Sequence, residues 1–115
     1  MSKVNNLKTG CWGESLAVDY IKSKGYFVLE KNFKCKIGEI DIIAKVDNTI
    51  VFIEVKTRTN DRFGMPREAV NFRKQNKIRN VAMFYIKFKR LFGYSLRFDI
   101  IEILGNDITH LKNCF

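Results

Sequence analysis

The sequence has one proline, one histidine, no glycine-rich loop and no apolar run near the ~20 residues that a membrane-spanning helix needs. Each shortage excludes something. A single histidine, His110, rules out two-histidine nuclease mechanisms and zinc hydrolases that need several imidazoles. No Walker-type phosphate loop and no Gly-x-Ser-x-Gly elbow is present. The three cysteines, Cys11, Cys35 and Cys114, are odd in number and lack metal-ligand spacing, so they are read as reduced thiols. Their one conceivable base is His110, near the other end of the chain from Cys11 and Cys35. Met1 to Gly10 is polar and has no signal-peptide core. These absences lead us to expect a cytoplasmic protein with no membrane partner.

What remains is ample for one globular domain spanning residues 1–115. Of these residues, 46% are hydrophobic, enough to fold without disulfides or a structural metal. Lysine and arginine number 21 against 12 acidic residues, a net charge of +9. That excess favours a polyanionic partner, because each neutralised phosphate releases condensed counterions. Nucleic acid is preferred to a membrane surface, since no basic amphipathic helix carries an unburied aromatic face.

Thr9-Gly10 opens a helical pattern that Gly25 should stop, with Leu16, Ala17, Tyr20 and Ile21 on one face. Strands are expected over Tyr26 to Cys35, Glu39 to Val46 and Thr49 to Arg58, the last rich in β-branched and aromatic residues. A polar loop runs from Thr59 to Met65. Pro66 suits the first position of a helix reaching about Phe88, with Val70, Ile78, Val81, Ala82 and Tyr85 on its apolar stripe. Ser95 to Ile103 is a fourth strand and Ile108 to Lys112 a short edge strand. The order is α-β-β-β-α-β-β, an α/β domain, and the long helix implies a right-handed parallel crossover. Trp12 and most phenylalanines fit the core periodicity, with Phe63 and Phe72 as exceptions.

Asp47-Asn48 suits a two-residue hairpin loop. Val46 would then face Thr49, Asp41 would oppose Glu54 and Glu39 would oppose Lys56, as near neighbours on one face. Ile40, Ile42, Ala44, Val46, Val51, Ile53 and Val55 would form the buried face. Two adjacent carboxylates repel unless a cation joins them. Mg²⁺ takes one or two carboxylates together with water and substrate phosphate. Lys56 can hold the attacking water or offset charge developing on phosphorus. An ordinary surface ladder of mixed charges is the plainer alternative.

Glu14 falls at the edge of the first helix's apolar arc, and Lys74 in the middle of the second helix's stripe. A charge facing a core costs several kcal/mol unless it is paired or coordinates something. One such residue of each sign suggests a polar site where both helices approach the sheet. A buried Glu14–Lys74 ion pair is the structural alternative.

An acidic residue on the first helix, Asp on one strand and Glu-x-Lys on the next resembles the PD-(D/E)XK nuclease superfamily. More closely, the chain is similar to the YraN family of small bacterial proteins. The resemblance lies in Gly10-x-x-Gly13-Glu14, "GEIDIIA" from Gly38, "VFIEVKTR" from Val51, Phe63-Gly64-x-Pro66, Glu68-Ala69-Val70, Lys74 and "RFDII" from Arg97. It implies a restriction-endonuclease-like α-β-β-β-α-β core, with a mixed sheet flanked by helices and a short extra edge strand. It also implies metal ligation by Asp41, Glu54 and the backbone carbonyl of Val55, with Lys56 as the catalytic lysine. Glu14 takes the place of the helix-one acid of archaeal Holliday-junction resolvases. Ile40 stands where the superfamily has proline.

The expected function is a Mg²⁺- or Mn²⁺-dependent endonuclease acting on DNA rather than RNA, structure-specific for branched substrates and conceivably a homodimer. Catalytic residues are Asp41, Glu54, Lys56 and Glu14; phosphate contacts are Arg58, Arg67, Arg73, Lys74 and Lys77. The alternative is a nucleic-acid-binding module with the same fold and no useful catalysis. A third reading is a protein-interaction domain whose charge is incidental.

Overall fold

The computed structural model describes the backbone of residues 2–58 and 70–115, and side chains within those ranges from residue 12 onward. Its elements are α1 (Ser2–Ser23), β1 (Phe27–Lys34), β2 (Glu39–Val46), β3 (Thr49–Arg58), α2 (Phe72–Lys89), β4 (Ser95–Leu104) and β5 (Asp107–Leu111). Five strands lie in the order β1-β2-β3-β4-β5, all neighbours antiparallel except the parallel pair β3/β4. The architecture is α/β with a mixed sheet flanked by two helices, consistent with a restriction-endonuclease-like core.

α1 begins at Ser2 rather than at Thr9. Residues 2–8 contain no proline, and Thr9-Gly10 is only a local dip in helix propensity, not a start. At its other end the expected stop holds. Gly25 (φ 89) lets Tyr26 N–H reach back to Ile21 O at 2.9 Å and its own N–H to Lys22 O at 3.1 Å.

α2 starts at Phe72, not at Pro66, which lies outside the described residues along with Phe63. Asn71 is extended (φ −74, ψ 172) and its side chain accepts the Lys74 N–H at 2.9 Å, a strong N-cap. Val70 therefore precedes the helix, although it is buried in the same core. The helix ends on Arg90 at φ 55, with Leu91 N–H bonded to Ile86 O at 2.9 Å. Arginine bears a Cβ penalty in that left-handed position, and glycine does not. Arg90→Gly is expected to raise stability by about 0.5–1 kcal/mol, read from the urea midpoint; a lower midpoint contradicts this.

Both faces of the sheet are buried. The parallel crossover lays α2 over Ile43, Ile50, Phe52 and Ile100, while α1 covers Ile42, Ala44, Val51, Ile53, Ile101 and Ile103. The expectation of one buried hairpin face is corrected accordingly. Ile40 also sits in the α2-side cluster rather than with Ile42. The same burial sets which aromatics are covered. α2 meets the sheet through Ile78, Val81, Ala82, Tyr85 and Ile86, leaving Phe84 and Phe88 outside that stripe. Trp12, Phe27, Phe72, Phe84, Phe88 and Phe92 are all exposed, so for Trp12 and four of the phenylalanines the expected core placement is wrong.

A candidate carboxylate–lysine site where two strands part

β2 and β3 hold the expected register from Val46↔Thr49 to Ile42↔Ile53, and there their ladder ends. Beyond it β2 pairs only with β1, through Ile40↔Phe33 and Glu39↔Lys34. Asp41 is thus not in a backbone pair with Glu54. Its side chain takes over instead, with Oδ2 accepting the Val55 N–H at 2.8 Å. Glu39 faces β1, 3.8 Å from Lys34 Nζ, and does not oppose Lys56. The parting strands leave an opening at the point where the carboxylates gather.

Glu54 and Lys56 project on the α2 side of β3, beyond buried Ile50 and Phe52. Glu54 Oε1 lies 3.0 Å from Lys74 Nζ and 3.6 Å from Lys56 Nζ. The Asn71 cap places Lys74 in the first turn of α2, where no acidic residue is present. Cations at a helix N-terminus oppose the helix dipole, and here Glu54 offsets that cost.

α1 reaches the same place from the other face. Gly13 is buried against β3, where an added Cβ would overlap Thr57 Oγ1. That close approach carries Glu14 to the end of the sheet. Glu14 Oε1 is buried and has no hydrogen-bond partner among the described residues. The alternative Glu14–Lys74 ion pair does not form, because Lys74 is engaged with Glu54.

The electrostatics follow from this crowding. Burial, together with the charges of Glu54 and Glu14, pushes Asp41 up to about 7, against the opposing pull of the Val55 N–H and Lys74. Burial lowers Lys56, and its contact with Lys74 lowers it further, against the pull of Glu54. Burial also works against the charged form of Lys74, but hydrogen bonding to Lys56 and Glu54 and the charge of Asp41 raise it overall. Lys74 therefore stays the ammonium, and Lys56 is the amine that gives up a proton more readily.

A divalent cation fits these donors. The site has a crowded carboxylate near neutrality, a second carboxylate beside it and a buried carboxylate oxygen without a partner. Among the described residues, no group of three or more His, Cys, Asp or Glu side chains stands together to hold a metal ion, so any cation here would rest on two carboxylates with water. The fit is thus to an oxygen-seeking ion that keeps waters, as Mg²⁺ or Mn²⁺ does, and not to a closed structural zinc site.

Arg73, Lys74 and Lys77 line a cavity of about 360 Å³ beside the site, with Gly38 and Asn71. A Cβ on Gly38 would come within 3.2 Å of Lys77 and 3.3 Å of Val81, so the turn before β2 lies close on α2. Arg58 is placed differently. It is held at 2.6 Å from Glu102 as an ion pair, without hydrogen-bond alignment, and both side chains are largely covered. Arg67 lies outside the described residues.

Two buried acids escaped the sequence reading, Glu102 beside Lys56 in the β3/β4 register and Asp99. The available signal was a lone carboxylate inside an apolar strand, in "RFDII" and "IIEIL". No helix among the described residues is long and apolar enough to cross a membrane.

Comparison with known proteins gives a consistent result. The family model described as "Uncharacterised protein family UPF0102" matches residues 13–103. A UPF0102 protein of Caldanaerobacter subterraneus subsp. tengcongensis is 51% identical over 100% of both chains. One from Clostridium botulinum (strain 657 / Type Ba4) is 51% identical over 96% of this chain and 95% of its own. A matched segment that takes in Glu14, Asp41, Glu54, Lys56 and Lys74, with full-length relatives at this identity, means that the chain belongs to UPF0102, the YraN family.

Proposed function

We propose that the chain is an endonuclease that hydrolyses nucleic-acid phosphodiesters with Mg²⁺ or Mn²⁺, on DNA in preference to RNA. The observation that carries this reading is Asp41, bonded to the Val55 N–H and pushed up to about 7 by burial and then by Glu54 and Glu14, beside two lysines that share one Glu54 oxygen. Asp41 and Glu54 would hold the cation, with the Val55 carbonyl adjacent, and the unpartnered Glu14 oxygen would close the carboxylate wall. The cation supplies a Lewis acid for a phosphoryl oxygen and a more acidic water. Lys56 would hold the attacking water or offset the charge developing on the phosphate. Lys74 pairs with Glu54 and orients it. Arg73 and Lys77, exposed along the adjoining cavity, meet flanking phosphates. A structure-specific cut on branched DNA needs two such sites, hence a two-fold homodimer.

The test is incubation of the purified chain with duplex, flap and four-way-junction DNA in Mg²⁺ or Mn²⁺. Lys56→Met is expected to slow cleavage by about 10²–10³-fold, with cation affinity changed only a few-fold. Cleavage by Lys56→Met at the wild-type rate, or no cleavage of any substrate by the wild type, contradicts the proposal.

A second reading has its own support. Lys56 and Lys74 already neutralise the Glu54 oxygen that a cation would take. A nucleic-acid-binding module without useful catalysis would bind DNA in a salt-sensitive way, with no cation affinity and no loss on Glu54→Ala.

A further inference from the structure

A second polar cluster lies on the α1 face of the sheet, and the proposed reaction does not use it. Its centre is Asp99, which is 0% exposed. The Asp99 carboxylate accepts Arg97 Nε at 3.0 Å, Arg97 Nη2 at 2.9 Å and the Asn113 N–H at 2.9 Å, and lies 2.7 Å from His110 Nε2. Arg97 Nη2 also bonds to the Tyr26 hydroxyl, and the guanidinium lies 5.7 Å from the Tyr26 ring centre. His110 is wedged edge-on between Tyr20 and Tyr26, at 5.6 and 6.0 Å.

These contacts occupy Nε and Nη2 and leave both Nη1 hydrogens of Arg97 without a partner among the described residues. Arg97 and Tyr26 line a cavity of about 470 Å³ together with Lys24, Lys112, Tyr20 and Thr49. Lys24 and Lys112 are exposed, and neither has an ion-pair partner among the described residues. His110 and Val46 complete the wall with Asp47, whose carboxylate is the one acidic group on it. Arg97 pairs with Val51, three residues along β3 from Glu54, and the two side chains project from opposite faces of the sheet.

A guanidinium fixed by a buried carboxylate holds its remaining nitrogen, Nη1, in a set position as a charged donor for an oxyanion. Two further ammoniums and two hydroxyls converge on the same space, which suits a doubly charged tetrahedral group better than a single carboxylate. At about 470 Å³ the cavity is of mononucleotide size. We propose that it binds a phosphate monoester, held by the Nη1 edge of Arg97 and the ammoniums of Lys24 and Lys112. Tyr20 and Thr49 hydroxyls complete the donor set. Two sources present that group, a free mononucleotide and the 5′-phosphorylated end of a strand.

Calorimetric titration in EDTA and 150 mM salt keeps the first site out of the measurement. The probes are inorganic phosphate, adenosine monophosphate and a six-nucleotide strand with either a 5′-phosphate or a 5′-hydroxyl. Phosphate and the monophosphate are expected to bind once per chain. The double substitution Lys24→Gln/Lys112→Gln should weaken them by about tenfold or more without moving the melting temperature. Arg97→Lys should also weaken them by removing the Nη1 donor, but with a lower melting temperature because it cuts the bidentate bond to Asp99, and Lys87→Gln, on the exposed side of α2, should change nothing. Preference for the 5′-phosphorylated strand over the hydroxyl strand assigns the strand end, and binding of the monophosphate alone assigns the free nucleotide. No binding of any phosphate probe to the wild type, or equal affinity in the double variant, overturns the proposal.

Discussion

Asp41→Asn is expected to stabilise the metal-free protein at pH 8 by about 2 kcal/mol while abolishing the proposed cleavage of DNA. Both effects have one cause. Asp41 is pushed from 3.8 up to about 7, chiefly by burial and then by Glu54 and Glu14. At about 1.4 kcal/mol per unit, holding it ionised costs the fold on the order of 4 kcal/mol. Asparagine keeps an oxygen for the Val55 N–H and removes the charge, so it recovers part of that cost. Between about pH 4 and about 7 the native state keeps a proton that the unfolded chain has released. Wild-type stability should therefore fall as pH rises through that window and level off above it. In Asp41→Asn this contribution to the slope disappears. Urea unfolding in EDTA at several pH values reads both quantities. A variant less stable than the wild type at pH 8, or one with an unchanged slope, contradicts the assignment.

The second large effect is structural. Asp99→Ala should cost about 4 kcal/mol, because it strands Arg97, His110 and the Asn113 N–H around an empty position. That is a large share of the 5–15 kcal/mol typical of a domain. Burial would raise the Asp99 carboxyl, but His110, Arg97 and the Asn113 N–H outweigh it and hold it below its ordinary 3.8. A depressed carboxyl contributes stability above the unfolded value, and that contribution is lost as pH falls from about 3.8 through the folded value. Acid unfolding of Asp99→Asn should accordingly show a weaker dependence below pH 4 than the wild type. Near-wild-type stability of Asp99→Ala would show that the network carries little energy.

The strand boundaries were legible because local signals and packing agree there. Asp47, at φ 51, makes the tight turn that sets the β2/β3 register. What was not legible depends on contacts distant in sequence. Hairpin arithmetic extends a ladder indefinitely, whereas the real one stops at Ile42↔Ile53, where Asp41 bonds to Val55 through its side chain. It also treats a sheet as having one apolar face, and the α2 crossover buries the second. Periodicity flagged Glu14 and Lys74 as misplaced charges but could not say which partner each would find. Lys74 found Glu54, and Glu14 Oε1 found none among the described residues. Glu102 and Asp99 were hidden for a related reason. Their partners come from β3, β5 and the C-terminal segment, whose alignment with β4 a sequence does not reveal.

The central claim is a divalent-cation site on Asp41 and Glu54, and calorimetric titration of Mn²⁺ into wild type and Asp41→Asn at pH 8 tests it most directly. One ion per wild-type chain, with binding lost in Asp41→Asn although that variant is folded, is the predicted result. No Mn²⁺ binding to the wild type, or equal affinity in both proteins, contradicts it.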